Sequence, residues 1–160
     1  MKAPIPFLWF ETEAEEAVKF YVSLLPNSSI ARVTALPADS PSGPSGSVKI
    51  VEFTLAGQPW QAMEAAARPE PFNHAVSFLI ECADQHEIDT LWDAILANGG
   101  QEQACGWIRD KWGLAWQITP RIIFDMYASA DRAAAGRAAQ AMLKMVKLDV
   151  AALQRAFDGK

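Results

Sequence analysis

Two periods of apolar and polar residues alternate along the chain, and each predicts an element. Ile5-Pro-Phe-Leu-Trp-Phe10 is a short apolar run that predicts a buried strand. Thr12-x-x-Glu15 reads as a capping box. Behind it Ala14, Ala17, Val18, Tyr21 and Leu25 share one helical face until Pro26-Asn27 stops the helix. Residues 30–36 predict a strand, residues 37–47 an exposed Pro/Gly/Ser connector, and residues 48–55 and 59–64 a hairpin turning at Ala56-Gly57. The order then restarts. Residues 75–82 predict a strand and Asp84-x-x-Glu87 a second helix start, with Ile88, Leu91, Trp92 and Ile95 as its apolar stripe and Asn98-Gly99-Gly100 as its end. Strands over 103–109 and 114–119 follow, joined around Asp110-Lys-Trp-Gly113. An offset of roughly 70 residues between the two copies fits a duplicated half-domain better than a solenoid repeat. After residue 120 the spacing turns helical: Ile122, Ile123, Met126 and Tyr127, an Ala-rich stretch opened by Asp131, and a last helix capped by Asp149 that presents Val150, Leu153 and Phe157.

Composition sharpens this picture by exclusion. With 160 residues, 51% of them hydrophobic, the chain buries a real core and is not disordered. A net charge of −5 argues against nucleic acid, whose phosphates need a cationic face. The apolar runs fall short of the roughly 20 residues that a membrane span needs, and Met1-Lys2 is not followed by a leader-like stretch. Cys82 and Cys105 are too few for a disulfide framework. The expectation is a cytoplasmic protein without membrane or nucleic-acid partners.

The chemistry-bearing motifs are sparse. Neither glycine-rich nucleotide cradle is present. Ser45 and Ser47 lie in a loop that no strand and helix frame as a nucleophile elbow. His86-Glu87-Ile-Asp-Thr90 misses the zinc pattern because Thr stands where the second histidine must be, so it reads as a solvated helix start. Cys105, beside Gly106 and Trp107, reads as a buried free thiol rather than a reactive thiolate, since no basic residue adjoins it. His74 stands alone. Of six tryptophans, Trp92 lies on a helix stripe, whereas Trp9, Trp60, Trp107 and Trp116 lie on expected strands and can wall an apolar site.

The duplicated order resembles the vicinal oxygen chelate fold of glyoxalases, bleomycin-resistance proteins and dioxygenases. Within it, Phe7-Leu-Trp-Phe, Ala14-x-Glu-Ala17, Phe20-Tyr21, Leu25-Pro-Asn-Ser28, Cys105-Gly-Trp, Asp110-Lys-Trp-Gly113, Trp116-Gln117 and Met142-Leu-x-Met145 resemble the PhnB-like branch, which often carries a 3-demethylubiquinone 3-methyltransferase label. The resemblance implies an α+β fold: one domain over 1–160, made of βαβββ modules at 1–66 and 73–119 and a helical tail at 120–160. It also implies four candidate metal positions. These fall on Ile5 or Pro6, on Glu64, on Ala75 (with His74 one residue out of register) and on Gln117, and two of the four cannot ligate. No metal or other cofactor is therefore expected, with Glu64, His74 and Gln117 as the fallback set for a divalent ion. The methyltransferase label implies a glycine-rich cofactor turn that the chain lacks. The expected function is binding of a small, largely apolar molecule in a sheet-lined pocket, with a metal-dependent enzyme of the glyoxalase or dioxygenase type as the alternative.

Strand alternation selects the pocket. If Leu8 and Phe10 face the helix, Phe7 and Trp9 face the pocket, and Ser77, Leu79 and Gln117 do so from the second module. Trp60, Glu64 and Trp107 complete the candidate set. A homodimer is also expected. Open sheet edges need covering, and the tail stripe of Met142, Met145, Val146, Leu153 and Phe157 is too apolar to stay in water.

Overall fold

A computed structural model describes residues 3–160. The chain divides at Pro71/Phe72 into two units. The first contains β1 (Phe7–Phe10), α1 (Ala14–Leu24), β2 (Ser29–Ala35), β3 (Lys49–Leu55) and β4 (Gln58–Glu64). The second contains β5 (Ser77–Cys82), α2 (Gln85–Ala97), β6 (Gln101–Glu102), a 3₁₀ turn (Ala104–Gly106), β7 (Trp107–Arg109) and β8 (Ala115–Pro120). Three helices follow in the same unit: α3 (Ile122–Ala128), α4 (Arg132–Met142) and α5 (Val150–Asp158). The sheets repeat one topology, β1-β4-β3-β2 and β5-β8-β7-β6, each with a parallel first pair and antiparallel pairs thereafter. This is the duplicated α+β order that the sequence predicts.

In the first unit, period-two alternation sorts the side chains cleanly. Leu8 and Phe10 are buried, as are their neighbours Ala62, Val51 and Phe53, and they share their face with the buried stripe Ala14, Ala17, Val18 and Tyr21 of α1. Phe7, half exposed at 50%, and Trp9 point to the opposite, open face. The hairpin turn needs positive φ at both central residues, and Ala56 (49°) and Gly57 (79°) supply it. The expected capping box on α1 does not form. Glu13 takes a left-handed φ of 65° without a side-chain cap, and the Glu64 carboxylate at the end of β4 accepts the Ala14 N–H instead at 3.1 Å. A cap from a strand distant in sequence leaves no local spacing to read.

In the second unit the capping box is realised. Asp84 Oδ1 accepts the Glu87 N–H at 3.0 Å, and Glu87 Oε2 accepts the Ala83 N–H at 2.7 Å. Ile88, Leu91, Trp92 and Ile95 are all buried, as the spacing predicts. The Asp110-Lys-Trp-Gly113 turn is built around a buried carboxylate. Asp110 Oδ1 accepts the Trp112 and Leu114 N–H groups, each at 3.0 Å, and Oδ2 accepts Trp116 Nε1–H at 3.0 Å. The motif therefore fixes the turn that leads into β8.

The tail packs on its own unit. Ile123, Met126, Ala138, Leu148 and Leu153 form a buried cluster, with Met142, Met145 and Phe157 partly buried against it. Asp131 caps α4 through the Ala133 and Ala134 N–H groups, and Asp149 caps α5 through Ala152. This corrects one ground for the expected dimer, because most of the tail stripe is used within its own unit. Val146, at 42%, and Leu143, at 64%, stay exposed.

Candidate functional site

β8 is the central strand that gives the second unit two usable faces. Trp116 and Ile118 are buried on one face, with Phe78 of β5 stacked obliquely on Trp116 at 5.8 Å. Gln117 and Thr119 lie on the other face, in register with Leu79 and Glu81 of β5 and with Trp107 of β7. Here the Gln117 amide donates from Nε2 to Ser77 Oγ at 2.8 Å, which fixes the orientation of both side chains.

A cavity of about 150 Å³ sits on this second face. Leu79, Trp107, Gln117 and Thr119 line it from the sheet, and Cys105 from the 3₁₀ turn. The tail supplies the rest of the wall through Ile123, Phe124, Tyr127, Met142 and Leu148. Leu79 and Phe124, 42% and 40% exposed, leave an opening to solvent. None of these ten side chains carries a charge.

Backbone geometry explains how the tail reaches the sheet. Cys105 and Gly106 both take left-handed conformations, with φ of 63° and 80°. The turn thereby aims two N–H groups outward, Cys105 N–H to Met145 O and Gly106 N–H to Val146 O, each at 2.8 Å. An added Cβ on Gly106 would lie 2.9 Å from Leu148 Cδ1 and 3.0 Å from Ile118 O, so only glycine admits this close approach. Gln85 secures the next stretch: its Nε2 donates to Leu148 O at 3.1 Å and its Oε1 accepts the Val150 N–H at 2.9 Å. Lys147 adds ion pairs to Asp89 at 2.9 Å and Asp93 at 3.2 Å. A larger cleft of about 750 Å³ borders these groups, but Gln85, Asp89 and Lys147 are already committed to one another or to the backbone.

One of the lining residues, Tyr127, carries a buried polar atom without a partner among the described residues. The Tyr127 hydroxyl is buried and makes no hydrogen bond. Burial, and secondarily the nearby Cys105, raises its pKa, so it remains a neutral donor around neutral pH. Buried hydroxyls are rarely left unpaired, because the desolvation cost is not recovered.

The sequence-selected residues divide three ways. Leu79, Trp107 and Gln117 meet at the cavity, with Ser77 held behind Gln117. Phe7 and Trp9 lie on the open face of the first sheet, where Trp9 Nε1–H donates to Ala65 O at 2.8 Å. Trp60 and Glu64 do not share that face. Trp60 is buried against Phe53 at 6.0 Å on the helix-covered side, because it pairs out of phase with Phe7 and Trp9. Glu64 is held by the Ala14 N–H and by Lys49 Nζ at 3.2 Å. Tyr127, Thr119, Phe124 and Met142 were not legible as site residues, since helical spacing marks an apolar face without saying what it covers.

Within each unit the residues of the fallback metal set have protein partners. Both Glu64 oxygens have partners, and His74 Nε2 is 2.6 Å from Gln103 Oε1, with its ring 5.9 Å from Trp107. Among the described residues no three His, Cys, Asp or Glu side chains converge. His86 carries a back-bond from Thr90 Oγ1 to its carbonyl at 2.8 Å, as a helix start does. Cys82 is buried, and burial, reinforced by Glu87 and Asp84, pushes its thiol up to about 11. It is inert at neutral pH.

The comparisons with known proteins follow this architecture. The model of the family described as 3-demethylubiquinone-9 3-methyltransferase matches residues 2–119. A PhnB protein from Bacillus cereus that carries the same description is 32% identical, with a TM-score of 0.65 over 74% of this chain and 99% of its own. The chain belongs to this PhnB-like family. Protein PA1353 from Pseudomonas aeruginosa shares the fold, at 20% identity and a TM-score of 0.53 over 75% of this chain and 98% of its own. No curated protein matches. The family match stops at residue 119, so α3 to α5, and with them Tyr127, lie beyond it. The family description names a methyl transfer, which ordinarily uses a doubly wound sheet with a glycine-rich turn at a helix N-terminus. The described residues form two four-stranded mixed sheets instead, and they do not fit that cofactor.

Proposed function

We propose that this PhnB-like protein binds a small, largely apolar molecule on the open face of its second sheet. The observation that carries the reading is the cavity of about 150 Å³, where Leu79, Trp107 and Gln117 meet an uncharged tail wall. A cavity of that size in an apolar setting accepts a benzene-sized guest. The chemistry of the wall supports binding rather than turnover, since it offers a neutral phenol, a neutral amide and a thiol, but no nucleophile–base pair. Molecules released from purified protein, identified by mass spectrometry, test the reading. A stoichiometric neutral compound is expected from the wild type and none from Leu79→Trp, which fills the opening. Equal recovery from both proteins, or stoichiometric divalent metal that survives dialysis and is lost in Glu64→Ala, overturns it.

We propose further that the protein is a cytoplasmic homodimer. Two free cysteines suit a reducing compartment. The almost fully exposed edge strand β2 and the exposed Phe7 support self-association.

A further inference from the structure

We propose that the cavity beside β8 selects a small neutral ligand with one hydroxyl group, which donates to Gln117 Oε1 and accepts from the Thr119 hydroxyl; this rests on the binding reading above. Gln117 and Thr119 are same-face neighbours on β8, about 6.7 Å apart along the strand, and both line the cavity. Ser77 decides which end of the Gln117 amide is left for a guest. Nε2 is held at Ser77 Oγ at 2.8 Å, so Oε1, at the other end of the planar amide, points away from that partner and can only accept. Neither Oε1 nor the Thr119 hydroxyl has a protein partner among the described residues, and neither is sealed by its surroundings as the Tyr127 hydroxyl is.

These two atoms set the chemistry of the guest. A hydroxyl oxygen carries one donor and two lone pairs, so it serves Gln117 and Thr119 at once. A ketone serves only Thr119, and it displaces water from the amide oxygen without replacing the lost hydrogen bond. None of the ten lining side chains carries a charge, so an ionic guest would lose its hydration without a counter-charge. The volume of about 150 Å³, walled by Leu79, Trp107 and Phe124, limits the rest of the guest to about one six-membered ring.

Binding of cyclohexanol and cyclohexanone to the full chain, followed by calorimetry and by protection of Cys105 from alkylation, tests this. The two probes share a ring and differ in the donor. Cys105 lines the cavity, and Cys82 does not interfere, because its thiol is buried and raised to about 11. The wild type should prefer the alcohol by roughly two- to tenfold, the factor one hydrogen bond carries. Gln117→Met, which keeps the length of the side chain, should lose that preference. Thr119→Val should weaken both probes alike and keep it, because the hydroxyl donates to either oxygen. Ser77→Ala frees the amide to turn, so the preference should fall while both probes still bind. A preference that survives in Gln117→Met, or a ketone bound by the wild type as tightly as the alcohol, overturns the selectivity and leaves the cavity reading standing. Failure of both probes to bind overturns both. Should Gln117→Met fold poorly, Ser77→Ala decides in its place: a preference equal to that of the wild type refutes the role of the Gln117 amide.

Discussion

Substituting Gly106 by alanine tests how the tail is held on the second sheet. Glycine occupies a φ of 80° there, and a left-handed residue with a Cβ costs roughly 1–2 kcal/mol. The new Cβ would also lie 2.9 Å from Leu148 Cδ1, 3.0 Å from Leu148 Cγ and 3.0 Å from Ile118 O. The carbonyl belongs to β8 and cannot retreat, so Leu148 must move. Leu148 is 1% exposed, and unseating it forfeits about 2 kcal/mol of apolar burial. The Gly106 N–H to Val146 O bond beside it weakens as well. The expected destabilisation is about 3–4 kcal/mol, a drop of about 10 °C for a chain of this length. Differential scanning calorimetry reads the shift, and limited proteolysis should show new cuts between Leu143 and Asp149. Gly136 is the control. It sits inside α4 with nothing within 4 Å of an added Cβ, so Gly136→Ala should stabilise by roughly 0.5–1 kcal/mol. A Gly106→Ala protein that melts with the wild type and resists protease refutes the tight seating of the tail.

Four further outcomes follow from the same geometry. Asp110→Ala strands three N–H groups and should cost about 2–4 kcal/mol in chemical denaturation, whereas a loss under 1 kcal/mol contradicts its role in the turn. Lys147 holds the Asp89 carboxyl below its ordinary 3.8, so the contribution of Asp89 is present above that value and lost as pH falls through its lower folded value; Asp89 holds Lys147 above 10.5, a contribution lost only as pH rises past it. The exchange protection factors of residues 143–149, corrected for the intrinsic rate at each pH, should therefore fall on acidification more in the wild type than in Lys147→Met, and an equal fall would count against the clasp. Native protein at pH 8 should titrate one thiol per chain, that of Cys105, and two only after unfolding; two native thiols contradict the burial of Cys82. Light scattering at micromolar concentration should give twice 17.5 kDa, and 17.5 kDa would refute the dimer.

What the sequence made legible tracks how local the physics is. The α2 cap and stripe, the Ala56-Gly57 turn and the caps at Asp131 and Asp149 depend on spacings of a few residues, and all formed as expected. The α1 cap failed because its partner, Glu64, comes from β4, fifty positions away. The candidate site followed the same divide. Alternation put Leu79 and Gln117 on the face where the cavity lies, and Trp107, selected only as a strand tryptophan, lines it with them. Trp60 instead fell on the helix-covered face because register, unlike period, is set by pairing with β3. Tyr127 was invisible for a different reason. Its partial burial and unpaired hydroxyl arise only once α3 folds back over β8, a step that helical spacing does not encode.

Isotope-edited nuclear Overhauser spectroscopy with cyclohexanol bound to the full chain tests the central claim most directly. The ring protons of the alcohol should show contacts to the Leu79 and Met142 methyl groups and to the Trp107 and Tyr127 rings, all on the wall of the one cavity. A saturating titration that yields no such contacts, or contacts only to Val150 and Ala151 in the cleft beside α5, would contradict the account.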